Sequence, residues 1–357
     1  MAPLLTVACP GESVKDPFII FTQNCRLLYA ILKPVVRLAM FIFCRRIIIN
    51  KPELLNRKGP LLLACNHPNS FLDAAIIADL FKHPVWSLAR GDVFQNPFHV
   101  KLLTALKILP VYRTSEGMEN LSINYQTFDA CKKIFREHGI VLIFSEARCI
   151  NEWHLRPLRK GTARLAFSAW DDNIPVQVLP VGINYSSFRR FSKNVFINFG
   201  EIIDRADFDS TDTDGKRNLK FNHELKQQLH QLVFEIDKTD MQEQKQLLEK
   251  KPSLAGKIVL FFPALIGFVL HAPVYWPVKN FTYKRTWNND HYDSVLVALL
   301  LFIYPFYLLL ITIAAFVFTH NFLSWLLIII IPFTAWSYIE IKPQLDKMQP
   351  DLSQGQP

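Results

Sequence analysis

Cysteine is sparse and unpaired in this chain, with six residues among 357 and none in a metal-ligand spacing. That excludes a zinc site held by cysteines, gives no disulfide framework, and fits a reducing compartment. No Gly-x-Ser-x-Gly segment occurs, so the elbow that presents a nucleophilic serine in α/β hydrolases is missing. No run of arginine and lysine carries a nucleic-acid motif, and the aromatic residues lie in apolar segments away from the basic ones. Nucleic acid is therefore set aside as a partner. Leu5-Thr6-Val7-Ala8-Cys9 has the outline of a lipoprotein cleavage box, but the segment before it is short and uncharged. No signal peptide is expected.

What the chain has in abundance is apolar surface and positive charge. Half of its residues are hydrophobic, 29 are phenylalanine, and the formal net charge is +9. This balance favours contact with anionic headgroups or acidic substrates. The most informative stretch is Asn66-His67-Pro68-Asn69-Ser70-Phe71-Leu72-Asp73. It follows Pro60-Leu61-Leu62-Leu63-Ala64-Cys65, which reads as a short buried strand, and precedes Ala74-Ala75-Ile76-Ile77-Ala78, which reads as a helix. A histidine and a carboxylate at a strand-to-helix turn make a general base, because the carboxylate fixes the imidazole tautomer and stabilises the imidazolium. Ser70 reads as a helix N-cap and Cys65 as a small buried hydrophobe. Backbone N–H groups of the turn after His67 are the candidate oxyanion donors.

Three further segments follow in order. Ala89-Arg90-Gly91-Asp92-Val93-Phe94 precedes Ile108-Leu109-Pro110-Val111-Tyr112-Arg113; Val141 to Arg148 runs on to Pro157-Leu158-Arg159-Lys160-Gly161-Thr162-Ala163; Val178 to Tyr185 comes last. With the first block, this order resembles the glycerolipid acyltransferase family, over roughly Leu27 to Ile203. The resemblance implies an α/β acyltransferase domain with His67 and Asp73 as the catalytic pair. It also implies that Arg113 holds the phosphate of the acceptor, and it matches Glu146, the Arg159-Lys160-Gly161 step and Pro180 to family positions. Arg148 and Lys160 add to the candidate phosphate-binding set, whereas Arg156 and Arg164 read equally well as solvated surface.

The chain departs from the family pattern in three places, one of them a slightly different lead-in to Arg113 in the second block. Five residues separate His67 from Asp73 where four are usual. Within a regular helix one extra residue would turn Asp73 by about 100°, so the insertion is expected in irregular backbone ahead of the helix. Ser145 and Ala147 also stand where proline and glycine are usual. The activity implied is transfer of a fatty acyl group from a thioester, acyl-CoA or acyl carrier protein, to glycerol 3-phosphate or a lysophospholipid such as lysophosphatidate. No metal or cofactor is implied. The alternatives are another lysolipid or an amine as acceptor, or a non-catalytic lipid-binding protein on the same fold.

The organisation expected is an N-terminal tail and membrane-surface amphipathic helix in 1–46, the α/β domain in 47–205 and a polar helical segment in 206–257. A C-terminal helical transmembrane region in 258–342 and a polar tail in 343–357 complete it. In the polar segment Leu219, Leu225, Leu229, Leu232 and Ile236 recur at helical spacing, as in a packing helix. Val295 to Phe318 and Phe322 to Tyr338 are each long enough to span a bilayer and form a hairpin. Lys279, Lys284 and Arg285 before it and Lys342 and Lys347 after it place both outer ends, and the catalytic domain, in the cytoplasm. Ile258 to Trp276 contains Pro263, His271 and Pro273 and reads as re-entrant or interfacial, the alternative being a third span whose odd count would reverse that orientation, with His271 a structural histidine.

Overall fold

The computed structural model describes residues 26–94, 96–112, 121–209 and 211–346. The tail expected up to Asp16, Arg113 and the residues from 347 onward lie outside the described residues. Seven strands form one sheet: β1 Cys44–Ile49, β2 Leu61–Cys65, β3 Val85–Arg90, β4 Ile108–Val111, β5 Ile140–Phe144, β6 Gln177–Tyr185 and β7 Lys193–Phe199. Their order is β1-β7-β6-β2-β5-β3-β4, parallel throughout except for the β6/β7 pair. Parallel strands are covered on both faces, so they read as continuous apolar runs. Leu61, Leu63 and Cys65 of β2 face one hydrophobic cluster, and Leu62 and Ala64 face the other.

The helices of the domain are α1 Arg26–Phe43, α2 Ser70–Leu80, α3 Pro97–Ala105, α4 Leu121–Arg136, α5 Gly161–Asp171, α6 Asp214–Leu232 and α7 Met241–Leu248. Ala39, Met40 and Phe43 of α1 join Leu72 and Ile76 of α2 on one face of the sheet. Cys131 and Phe135 of α4, Ala166 and Trp170 of α5, and Phe221, Leu225 and Leu229 of α6 cover the other. Beyond the buried side of α1, Ile31, Val35, Leu38 and Phe41 are exposed at successive helical intervals. They form the apolar stripe expected of a surface-lying helix.

The polar segment is two helices and not one. α6 buries Phe221, Leu225 and Leu229, whereas Leu219 is exposed. Ile236 lies past the end of α6 and is buried in a bridge with Trp153.

Three more helices complete the described chain: α8 Leu254–Thr286, α9 Tyr292–Thr319 and α10 Leu327–Ile341, the last preceded by a tight turn at Phe322–Leu326. All three are long and apolar enough to cross a membrane. α9 and α10 form the expected hairpin about Thr319–Asn321, with its outer ends at Asp293 and Asp346 both bonded to the α/β domain. α8 runs unbroken through Pro263, Pro273 and Pro277, so the interruption that prolines suggested at 258–276 is not there. Its flanks are both fastened to other parts of the protein on the domain side: Lys250 N–H donates to Gln344 (2.8 Å), and Asp290 accepts from Asn151 N–H (3.0 Å). His271 is satisfied by the Gly267 carbonyl (2.8 Å) and the Tyr304 hydroxyl (3.0 Å).

Candidate active site

The site lies at the carboxyl end of β2, between β5 and β6, where ligands of open α/β sheets bind. Asn66 closes the strand by bonding both ways to Ile183 of β6: its Nδ2 donates to the carbonyl (3.0 Å), and its Oδ1 accepts from the N–H (2.7 Å). The backbone then leaves the sheet at His67-Pro68-Asn69 and enters α2 at Ser70. Asp73 sits in the first turn of α2. The added residue of the His-Asp interval thus falls in irregular backbone, and the pair is intact.

His67 Nδ1 is 2.8 Å from Asp73 Oδ2. The same oxygen accepts from the Asn69 N–H (2.8 Å), and Oδ1 accepts from the Tyr185 hydroxyl (2.6 Å). Asp73 is wholly buried, so these bonds replace the water it has lost. A carboxylate on Nδ1 keeps the proton there and leaves Nε2 as the nitrogen able to take one. The imidazole stacks on Phe144, with ring centroids 3.8 Å apart and planes 13° from parallel. Its side chain remains 18% accessible. The ring is therefore fixed on one face and on one nitrogen while its far edge stays open.

Glu146 serves the loop and not the pocket. Its Oε2 accepts from the His67 N–H and its Oε1 from the Arg156 N–H, both at 2.7 Å. Burial pushes its carboxyl up to about 7 against the lowering effect of those two bonds. Ala147 has φ 53°, in the left-handed region, which accounts for the glycine usual at this place. Ser145 extends the pairing of β5 by donating to the Cys65 carbonyl (2.8 Å), and its hydroxyl meets that of Thr162 (2.9 Å).

Arg148, Arg159 and Lys160 are exposed on the loops that surround Glu146. Arg159 N–H is bonded to the Ser145 carbonyl (2.8 Å), which ties the two loops together. Gly161 opens α5, and a Cβ there would meet only Ile143, at 3.9 Å. Pro180 is buried in β6 opposite Ala64, inside the sheet and away from the surface on which the site opens. Arg113 lies outside the described residues.

Two expectations at the turn are corrected. Ser70 is not an N-cap: it has φ 51°, its hydroxyl bonds His291 Nδ1 (2.6 Å), and its N–H donates to Cys149 Sγ (2.9 Å). The oxyanion donors expected in the turn are also displaced along the chain: the N–H groups of His67, Asn69 and Ser70 are engaged and Pro68 has none, which leaves those that follow in the first turn of α2. Sequence reasoning missed Tyr185, although it ends the fourth block, and also missed Phe144 and Asn66 as supports. Cys65 is fully buried, with its thiol pushed up by desolvation, as a small hydrophobe should be.

The class that the fold defines is a mixed, mostly parallel α/β domain, with a strand-end histidine held by a buried aspartate. Residues 46–184 match the model of the Acyltransferase family, and this segment belongs to that family. No curated protein matches the chain. Among solved structures it is similar to the 1-acyl-sn-glycerophosphate (LPA) acyltransferase PlsC from Thermotoga maritima. The identity is 15%, the coverage 59% of this chain and 82% of that one, and the TM-score 0.40.

Proposed function

We propose that this protein is a membrane-bound O-acyltransferase of phospholipid synthesis, moving a fatty acyl group from a thioester to the hydroxyl of glycerol 3-phosphate or lysophosphatidate. The observation that carries this reading is the His67–Asp73 contact of 2.8 Å in an acyltransferase-family domain, with the outer edge of the imidazole open. As the acceptor oxygen attacks the thioester carbonyl, Nε2 takes its proton, and Asp73 stabilises the imidazolium. The tetrahedral adduct then collapses, the C–S bond breaks, and the imidazolium returns the proton to the departing thiolate. Transfer is direct. Cys65 and Cys149 are held as thiols by burial, and Ser70 is occupied by His291. Neither cysteine has a base bonded to it among the described residues, and Ser70, although its hydroxyl is paired with His291, is itself buried.

Arg148, Arg159 and Lys160, exposed on the loops around Glu146, supply charge for an anionic acceptor, and the sequence resemblance adds Arg113 to that set. The apolar stripe of α1 and the three apolar helices fit a bilayer-bound enzyme. The cationic flank Lys279, Lys284 and Arg285 favours a cytoplasmic catalytic face. Acyl-CoA and acyl carrier protein remain equivalent as donors, because the attack on either thioester is the same.

The test is transfer of a labelled acyl group by detergent-purified protein, with glycerol 3-phosphate and lysophosphatidate offered separately beside a His67→Ala control. Product from one acceptor, lost in the control, supports the reading and selects the acceptor. No product from either donor type with either acceptor would defeat it and point to another lysolipid, an amine acceptor or lipid binding without chemistry.

A further inference from the structure

The catalytic turn is held from outside its own domain. Asn69, whose N–H bonds Asp73, extends its side chain the other way, and its Nδ2 donates to Asp293 Oδ2 (2.8 Å). Asp293 belongs to the first turn of α9, more than two hundred residues further along the chain. The same Oδ2 receives the ammonium of Lys193 from β7, and both side chains of that ion pair are essentially inaccessible. Lys193 in turn lies over the ring of Tyr185, whose hydroxyl holds the other oxygen of Asp73. A closed circuit results: Asp73, Asn69, Asp293, Lys193, Tyr185, and back to Asp73.

Two neighbours of Asp293 grip the rest of the turn. His291 Nδ1 bonds the Ser70 hydroxyl (2.6 Å) and so retains Ser70 at its positive φ, a conformation that costs a non-glycine residue on the order of 1 kcal/mol or more. Asp290 Oδ1 accepts from Asn151 N–H (3.0 Å), while Asn151 Nδ2 donates to the Pro68 carbonyl (2.7 Å). Pro68, Asn69 and Ser70 are therefore each tied, directly or through one residue, to the four-residue segment Asp290-His291-Tyr292-Asp293. Pro68 and Asn69 separate the base from the helix that carries its carboxylate, and Ser70 is the first residue of that helix.

We propose that Asp293, at the head of the apolar hairpin, is a positioning residue for the His67–Asp73 pair, so that the hairpin is a working part of the active site as well as an anchor. The proposal rests on the acyltransferase reading given above. A buried ion pair is a costly way to anchor a helix, since desolvation offsets most of its attraction. Its location accounts for it here: one carboxylate oxygen neutralises Lys193 and orients Asn69 together. Displacing a catalytic group by about 1 Å can lower turnover on the order of a hundredfold, and the turn has no regular secondary structure of its own to prevent that displacement.

The test separates orientation from charge. The double variant Lys193→Met with Asp293→Leu removes the ion pair without leaving a buried charge, yet gives Asn69 no acceptor. Lys193→Met with Asp293→Asn removes the same charges but keeps an acceptor oxygen. Asn69→Ala leaves the ion pair whole and cuts only the link, so it serves if the first variant does not fold. Two quantities are read in the full-length protein in detergent: steady-state transfer, and amide hydrogen exchange of the peptide covering residues 66–72. Exchange needs no substrate and answers even if no acceptor is turned over. Loss of the acceptor in the Leu variant, and of the link in Asn69→Ala, should lower kcat roughly tenfold to a hundredfold, with KM for the acceptor within about twofold. The turn should exchange at least about tenfold faster, the order of a lost hydrogen bond. The Asn variant should recover most of both. Wild-type exchange and turnover in a folded Leu variant or in Asn69→Ala would overturn the proposal. Equal loss in the Leu and Asn variants would overturn it as well, because the ion pair alone would then be what matters.

Discussion

Asp73 accepts from three groups, so replacing it disturbs more than the base. In Asp73→Asn an amide N–H must face one of the donors, and the imidazole loses the partner that fixes its tautomer. Turnover should fall by roughly 10²–10⁴, measured against a folded control. Tyr185→Phe removes a single donor and leaves Oδ1 buried without it, a stability cost of about 1–3 kcal/mol. Its unfolding midpoint should drop while transfer falls less than in Asp73→Asn. Glu146 gives a pH signature. Its folded-state value of about 7 lies above its ordinary 4.5, so between those values the folded chain retains a proton that the unfolded chain releases. Stability from this group is greatest below about 4.5 and is lost as pH rises through about 7, a cost on the order of 3 kcal/mol. Glu146→Gln should therefore gain stability relative to the parent between pH 5 and pH 8. A difference between the two that stays constant with pH would show that the carboxyl does not titrate in this range.

Among the elements, the strands nearest the site were the most legible in sequence. β2, β5 and β6 are buried on both faces and so read as unbroken apolar runs bounded by polar residues. The His-Asp turn was legible for the same reason: its residues are close in sequence. Tyr185 was not, because it reaches Asp73 only through the pairing of β6 beside β2, across 112 residues of chain. The polar segment shows a second limit. Leu219 and Phe221 both fit a helical stripe with Leu225 and Leu229, and only the packed sheet selects Phe221. Helix contacts in the apolar region are equally specific. A Cβ at Gly267 of α8 would lie 2.1 Å from the Thr334 carbonyl oxygen of α10, so Gly267→Ala must force the two helices apart. A cost of about 1–3 kcal/mol is expected, read as a lowered thermal midpoint in detergent. Lys342, counted from sequence as a flanking cation, is half-buried and donates to the Phe191 carbonyl. Burial chiefly, with Arg190, Lys193, Arg45 and Lys279 nearby, lowers it to about 7. The unfolded chain then holds that proton more tightly between pH 7 and 10.5, so stability rises with pH across this window. Lys342→Met should raise stability at pH 7 and flatten that rise.

For the whole molecule, the attachments of its apolar helices set its topography. Both flanks of α8 and both outer ends of the hairpin are bonded on the side of the α/β domain, while the Thr319–Asn321 turn lies at the other end. In sealed vesicles with the domain outward, a membrane-impermeant maleimide should label Lys251→Cys and Asn289→Cys at once, and His320→Cys only after lysis. Labelling of Lys251→Cys and Asn289→Cys from opposite sides would instead make α8 a crossing helix. On α1, α8 and α9 the exposed face is apolar, with Phe41, Phe262 and Phe318 among its exposed side chains. Such a face has a kinetic consequence. An enzyme embedded by it encounters a lipid acceptor as a neighbour in a sheet, so the concentration that governs its rate is counted per lipid molecule and not per litre. With lysophosphatidate as acceptor and the donor saturating, adding inert lipid at constant total acceptor should slow turnover by dilution in two dimensions, whereas adding buffer should leave it unchanged; with glycerol 3-phosphate the two additions should act the other way round.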